Sequence, residues 1–241
     1  MYTMSMTGQE FVYAIIAGLL PSLVWLIFWT REDSQQPEPR SLLFICFMAG
    51  MAAVLFAIPA EQYIAGIYAD PVARYTLWAA IEETLKLIAV AVVALHARSY
   101  DEPIDAMIYC IAAALGFAAL ENTLFIMQPL SGGDVAASII TGNMRFIGAT
   151  LVHTVSSALV GFMLGAAFYR GSLAKGLLCI AGLCAAIAIH ASFNIAITSS
   201  GPADTLKAFG WVWGAVVILI VLFEEVKAVK PRLAIQPVPA K

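Results

Sequence analysis

Residues 79–90 read AAIEETLKLIAV. Two adjacent carboxylates, Glu82 and Glu83, and one lysine, Lys86, interrupt a run that is otherwise apolar. The rest of the chain decides what surrounds them. Of 241 residues, 61% are hydrophobic and only 12% are charged, and the mean hydropathy is +0.87. A water-soluble domain of this length needs far more polar surface, so the composition specifies a polytopic membrane protein and places residues 79–90 inside a span. The net charge of −3 leaves no basic face for nucleic acid.

Working outward, runs of about 20 apolar residues predict seven spans at 11–29, 42–60, 75–96, 104–127, 139–168, 173–198 and 208–225. The fold class is an all-α membrane helix bundle. It forms a single transmembrane domain over 1–230, followed by a disordered tail at 231–241. The fifth run is too long for one straight crossing, and Thr141-Gly142-Asn143 is the expected break. The stretch SGGD at 131–134 reads as a turn. The N-terminal run lacks a basic leader and a small-residue cleavage signal, so it reads as a retained first span. Cys46, Cys110, Cys179 and Cys184 lie in apolar runs without paired spacing and read as reduced core residues.

Lysine and arginine alternate between the connections. Nine lie on the side bearing Arg31, Arg40, Arg98, Arg170, Lys175 and the C-terminus, and two, Arg74 and Lys207, lie on the other. The positive-inside bias then puts the N-terminus outside and the C-terminus in the cytosol.

Ionisable groups inside spans are costly and mark function. Here they are Glu82, Glu83, Lys86, Glu121, Arg145, His153 and His190, with Asn122 and Asn194 beside them. At a helical rise of about 1.5 Å per residue, Glu82, Glu121 and His190 all fall about 9–12 Å below the outer surface, with His153 about 15–18 Å below it. Four helices therefore deliver polar groups to one layer. Lys86 lies four residues after Glu82 and three after Glu83, so it can pair with either on one helix face. One lysine cannot neutralise two carboxylates. The second needs a proton, a metal or another partner.

His153, His190 and Glu121 make a two-imidazole, one-carboxylate set suited to zinc, and Glu82 is then free as a general base. Lys86 orients Glu83. Asn194, one turn after His190, can donate to an oxyanion. Arg145 closes the carboxylate network or meets a substrate carbonyl. A glutamate-activated water without metal uses the same residues. So do a non-enzymatic scaffold and a proton-coupled transporter, although no repeat pairs two halves of the chain.

The successive motifs EETLK at 82–86, FAALEN at 117–122, Arg145 followed by His153 and Gly161, and HASFN at 190–194 resemble those of the PrsW family of bacterial intramembrane proteases. That family is related to the CAAX-processing and bacteriocin-processing membrane proteases and to the APH-1 scaffold subunit of γ-secretase. The resemblance covers about 75–198. It implies cleavage of a single-span, anti-sigma-factor-like substrate on the extracytoplasmic side, and it assigns the catalytic role to the first glutamate, Glu82.

Overall fold

The computed structural model describes residues 6–33, 36–199 and 202–231, so the expected tail lies almost wholly outside the described residues. Among those residues the chain is all helix and turn. The helices are α1 (Gly8–Trp29), α2 (Arg40–Ile67), α3 (Pro71–Val93), α4 (Asp105–Ser131), α5 (Val135–Met144), α6 (Thr150–Ala166), α7 (Ser172–Ser199) and α8 (Pro202–Lys227). A π-helical turn, Arg145–Ala149, joins α5 to α6 in one rod. Counting that rod once, seven helical rods stand where seven spans are expected. Six are long and apolar enough to cross a membrane. The seventh, α3, carries Glu82, Glu83 and Lys86 at its centre and turns all three into the protein.

Local chemistry sets the helix starts. Thr7 and Glu10 form a reciprocal capping box on α1. Asp70 accepts the Ala73 N–H at 2.8 Å, and Pro71 takes the first position of α3, where its missing N–H costs nothing. Gly133 adopts φ +81° in the turn between α4 and α5, a conformation that favours glycine.

The centre of the bundle is α4, which packs against α1, α2 and α6. Every residue from Asp105 to Ala119 is buried. Small residues permit this. A β-carbon on Gly50 of α2 would collide with the Ala113 carbonyl of α4, and one on Gly116 of α4 would collide with the Phe47 carbonyl of α2. The two backbones therefore touch, as apolar helices do where van der Waals packing must replace the hydrophobic drive. The unbroken burial of α4 ends at Leu120, just before Glu121; α3 and α6 pack against α4, and α7 packs on both of them.

Three local expectations are corrected. The helix does not break at Thr141-Gly142-Asn143, which stay within α5. The irregularity is the π turn, where the Thr150 N–H and hydroxyl both donate to the Arg145 carbonyl. The second span does not stop at residue 60, because α2 continues through Pro59 to Ile67 and takes Glu61 into the helix. Cys184 is exposed on the outer face of α7 rather than in the core, although all four cysteines are free.

Candidate active site

The helix period aligns the α3 groups. Glu82, Glu83 and Lys86 share one inward face, and each is at most 3% exposed. Lys86 Nζ donates to Glu83 Oε1 at 2.8 Å, lies 3.5 Å from Glu82 Oε2 and sits 2.7 Å from His153 Nδ1. Its ammonium also stands over the Phe117 ring, 4.4 Å from the centroid. A buried charge in this position is held by three polar atoms and a π face.

The two imidazoles arrive from α6 and α7 with ring centroids 4.8 Å apart. Each has one nitrogen fixed by a carboxylate. His190 Nδ1 is 2.8 Å from Glu83 Oε1, and His153 Nε2 is 2.8 Å from Glu121 Oε2. The remaining nitrogens, His190 Nε2 and His153 Nδ1, each lie 3.7 Å from Glu82 Oε2. Carboxylates that hold histidines by the nitrogen away from a shared centre are the usual outer support of a metal site.

Glu82, His153 and His190 are all buried and bring one donor atom each within 4.8 Å of one another. Two imidazoles and one carboxylate match zinc in both donor type and number. The group could therefore hold a metal, with Glu82 in the place where the sequence leads one to expect Glu121, provided that Lys86 Nζ, 2.7 Å from His153 Nδ1, gives way to the ion. Glu121 is otherwise engaged: its Oε2 accepts from Arg145 Nη2 as well as meeting His153. Its side chain keeps 19% exposure and lines a groove of about 330 Å³ between α2 and α4, with Glu61, Val54, Ala57 and Phe117.

Arg145 occupies the first position of the π turn. Its Nε donates to Asn122 Oδ1 at 2.5 Å, and Asn122 Nδ2 donates to Thr150 Oγ1 at 2.9 Å. The widened turn changes the angular offset between Arg145 and His153, so that both reach Glu121 from one rod. Asn194 lies one turn beyond His190 and is half-buried, but its side chain makes no hydrogen bond to the network among the described residues.

Sequence reasoning passes over two members. Ser157 donates to Glu83 Oε2 at 2.8 Å. Its signal is its place four residues after His153, on the same helix face. Glu61 is missed because the second span is ended one residue short of it.

Several helices converge buried histidines and carboxylates on one centre, which makes a histidine–carboxylate site embedded in a membrane helix bundle. Comparison with known proteins agrees. The model of the PrsW family intramembrane metalloproteases matches residues 38–224. A relative from Geobacillus kaustophilus, "Protease PrsW", is 32% identical over 64% of this chain and 66% of its own length. Namesakes from Bacillus subtilis and Shouchella clausii are 25% and 23% identical over 78% and 79% of this chain, and over 84% and 86% of their own. No solved structure matches. The chain belongs to the PrsW family of intramembrane metalloproteases, whose activity is that of a membrane-embedded endopeptidase.

Proposed function

We propose that the chain hydrolyses a peptide bond of a single-span, anti-sigma-factor-like membrane protein in the outer half of a bacterial inner membrane, with zinc held by Glu82, His153 and His190. The observation that carries this reading is the convergence of His153 Nδ1 and His190 Nε2 on Glu82 Oε2, both at 3.7 Å, with their opposite nitrogens fixed by Glu121 and Glu83. Bound zinc supplies Lewis acidity to the scissile carbonyl and to a water.

The chain's own residues do the rest. Glu83 holds His190 and Lys86 and is itself held by Ser157, so it positions rather than reacts. Lys86 keeps Glu83 as its partner when His153 Nδ1 engages the metal. Glu121 is the partly exposed carboxylate of the network and faces the groove. Its other oxygen, Oε1, takes the proton of the attacking water, while Arg145 and His153 hold Oε2. Asn194, one turn from His190, is available as an oxyanion donor once substrate displaces its surroundings.

A second reading is favoured by the loose hold on Glu82, whose nearest donor, Lys86, is 3.5 Å away. Glu82 is then the general base on a water without metal, as the family resemblance assigns it. A paired measurement separates the two. Glu82→Gln and Glu121→Gln are each assayed for zinc content and for cleavage of a co-expressed single-span substrate. Under the zinc reading Glu82→Gln loses metal, whereas Glu121→Gln keeps metal and loses cleavage. Active protein that is zinc-free after exhaustive chelation selects the second reading. Normal cleavage by both variants rejects the site.

The charge bias of the connections supports an N-terminus outside and a C-terminus in the cytosol. A periplasm-active reporter fused to the C-terminus is expected to stay silent. A strong signal would invert the topology and move the centre to the inner leaflet.

A further inference from the structure

A second buried acidic group lies at the opposite end of α4 from Glu121. Asp33 and Glu38 belong to the connection between α1 and α2, and Asp105 opens α4. The three are 5%, 8% and 1% exposed, and each contributes one oxygen to a set lying within 4.8 Å of one another. This group contains oxygen donors alone, unlike the imidazole-bearing centre.

Protein donors satisfy only part of it. Asp105 Oδ2 accepts the N–H groups of Asp101 and Glu102 at 2.8 and 2.6 Å. Asp33 Oδ2 accepts the Glu38 N–H at 3.2 Å, and the Tyr109 hydroxyl donates to Glu38 Oε2. Asp105 Oδ1 is buried with no hydrogen-bond partner. None of the three carboxylates forms an ion pair with a lysine or arginine among the described residues. Lys227 is close by, but it is engaged by Glu32 at 3.0 Å and Glu224 at 2.8 Å.

An unpartnered buried carboxylate oxygen beside two further buried carboxylates is costly unless a cation or a proton shared between carboxyls joins them. Burial, and after it the charge of Asp105, pushes the Asp33 carboxyl up to about 6, and burial raises Glu38 as well. There is also a route in. Asp33 lines a cavity of about 450 Å³ with Glu32, Glu102, Tyr169, Glu224 and Lys227.

We infer that Asp33, Glu38 and Asp105 form a binding site for a hard divalent cation of the magnesium, calcium or manganese class, which ties the α1–α2 connection to the first turn of α4. Three carboxylate oxygens with room for water suit such ions and lack the imidazole or thiolate that zinc selects. The site is separate from the histidine centre and does not depend on its assignment.

Manganese is the probe, because its electron paramagnetic resonance signal counts free ion directly. Purified full-length protein in detergent is titrated with Mn²⁺, as are His190→Ala, Asp105→Asn and Asp33→Asn. The wild type is expected to bind one Mn²⁺ that magnesium or calcium displaces, and His190→Ala is expected to keep it. Asp105→Asn and Asp33→Asn should each weaken binding at least tenfold. Should Asp105→Asn fail to fold, Asp33→Asn, in the connecting segment, decides alone. The inference is overturned if no Mn²⁺ binds, if His190→Ala removes all binding, or if the folded aspartate variants bind as the wild type does. The last two results would place any bound manganese elsewhere, and the first would leave a shared proton as the cluster's only neutraliser.

Discussion

Two stretches of this chain are spelled almost alike. IEETLK at 81–86 and FEEVK at 223–227 each place two glutamates just before a lysine. Each forms an i, i+3 pair at 2.8 Å, Glu83 with Lys86 and Glu224 with Lys227. Their surroundings differ completely. The first pair is 0% and 1% exposed, and the second is 67% and 31% exposed. Water and salt screen the outer pair, which is worth about 0–1 kcal/mol. The inner pair sits where removing one partner strands a charge. The comparison teaches that pair geometry carries little information by itself. What neighbouring helices bring to the pair decides its role: His153, Glu121, Ser157 and His190 around the first, and one loop glutamate, Glu32, beside the second.

The comparison makes its strongest prediction in activity. Glu82→Gln should lower cleavage of a co-expressed substrate by about 100- to 10,000-fold under either role for Glu82. Glu224→Gln should leave cleavage within twofold. Equal effects would erase the distinction. A smaller contrast is expected in stability. Lys86→Met should cost about 3–5 kcal/mol, because Glu83 is left buried without its cation. Lys227→Met should cost at most about 1 kcal/mol. Unfolding in mixed micelles measures both, and similar losses would show that the inner pair is not held as described. The smallest effect sharpens the inner site alone. Ser157→Ala removes one hydrogen bond to the Glu83 carboxylate and should cost about 1.5–3 kcal/mol, with zinc content unchanged. Loss of zinc instead would mean that Ser157 shapes the metal site through Glu83 and His190.

Much of this is legible in the sequence. All seven rods follow from runs of apolar residues, because a membrane demands internally satisfied helices and little else. The intramembrane charges on α3, α4, α6 and α7 announce a shared centre, since none is affordable alone. What stayed hidden depends on side-chain direction. Spacing cannot tell that Glu121 Oε2 is taken up by Arg145 and His153, and so cannot place Glu82 rather than Glu121 beside His153 Nδ1 and His190 Nε2. The π turn was also invisible. Nothing in RFIGA marks it, while the glycine in TGN drew attention three residues too early. The cluster of Asp33, Glu38 and Asp105 escaped because Asp33 and Glu38 sit in the polar, proline-containing stretch 31–40, whereas the fold buries both beside Asp105 at the start of α4.

The central claim is that α3, α6 and α7 meet at a single zinc. X-ray absorption at the zinc edge, on purified full-length protein, tests it most directly. The expected spectrum shows two imidazoles and at least one oxygen about 2.0–2.2 Å from the metal. His190→Ala should remove one imidazole or all of the zinc. Fully active protein without stoichiometric zinc, or a zinc spectrum with oxygen ligands alone, would contradict it.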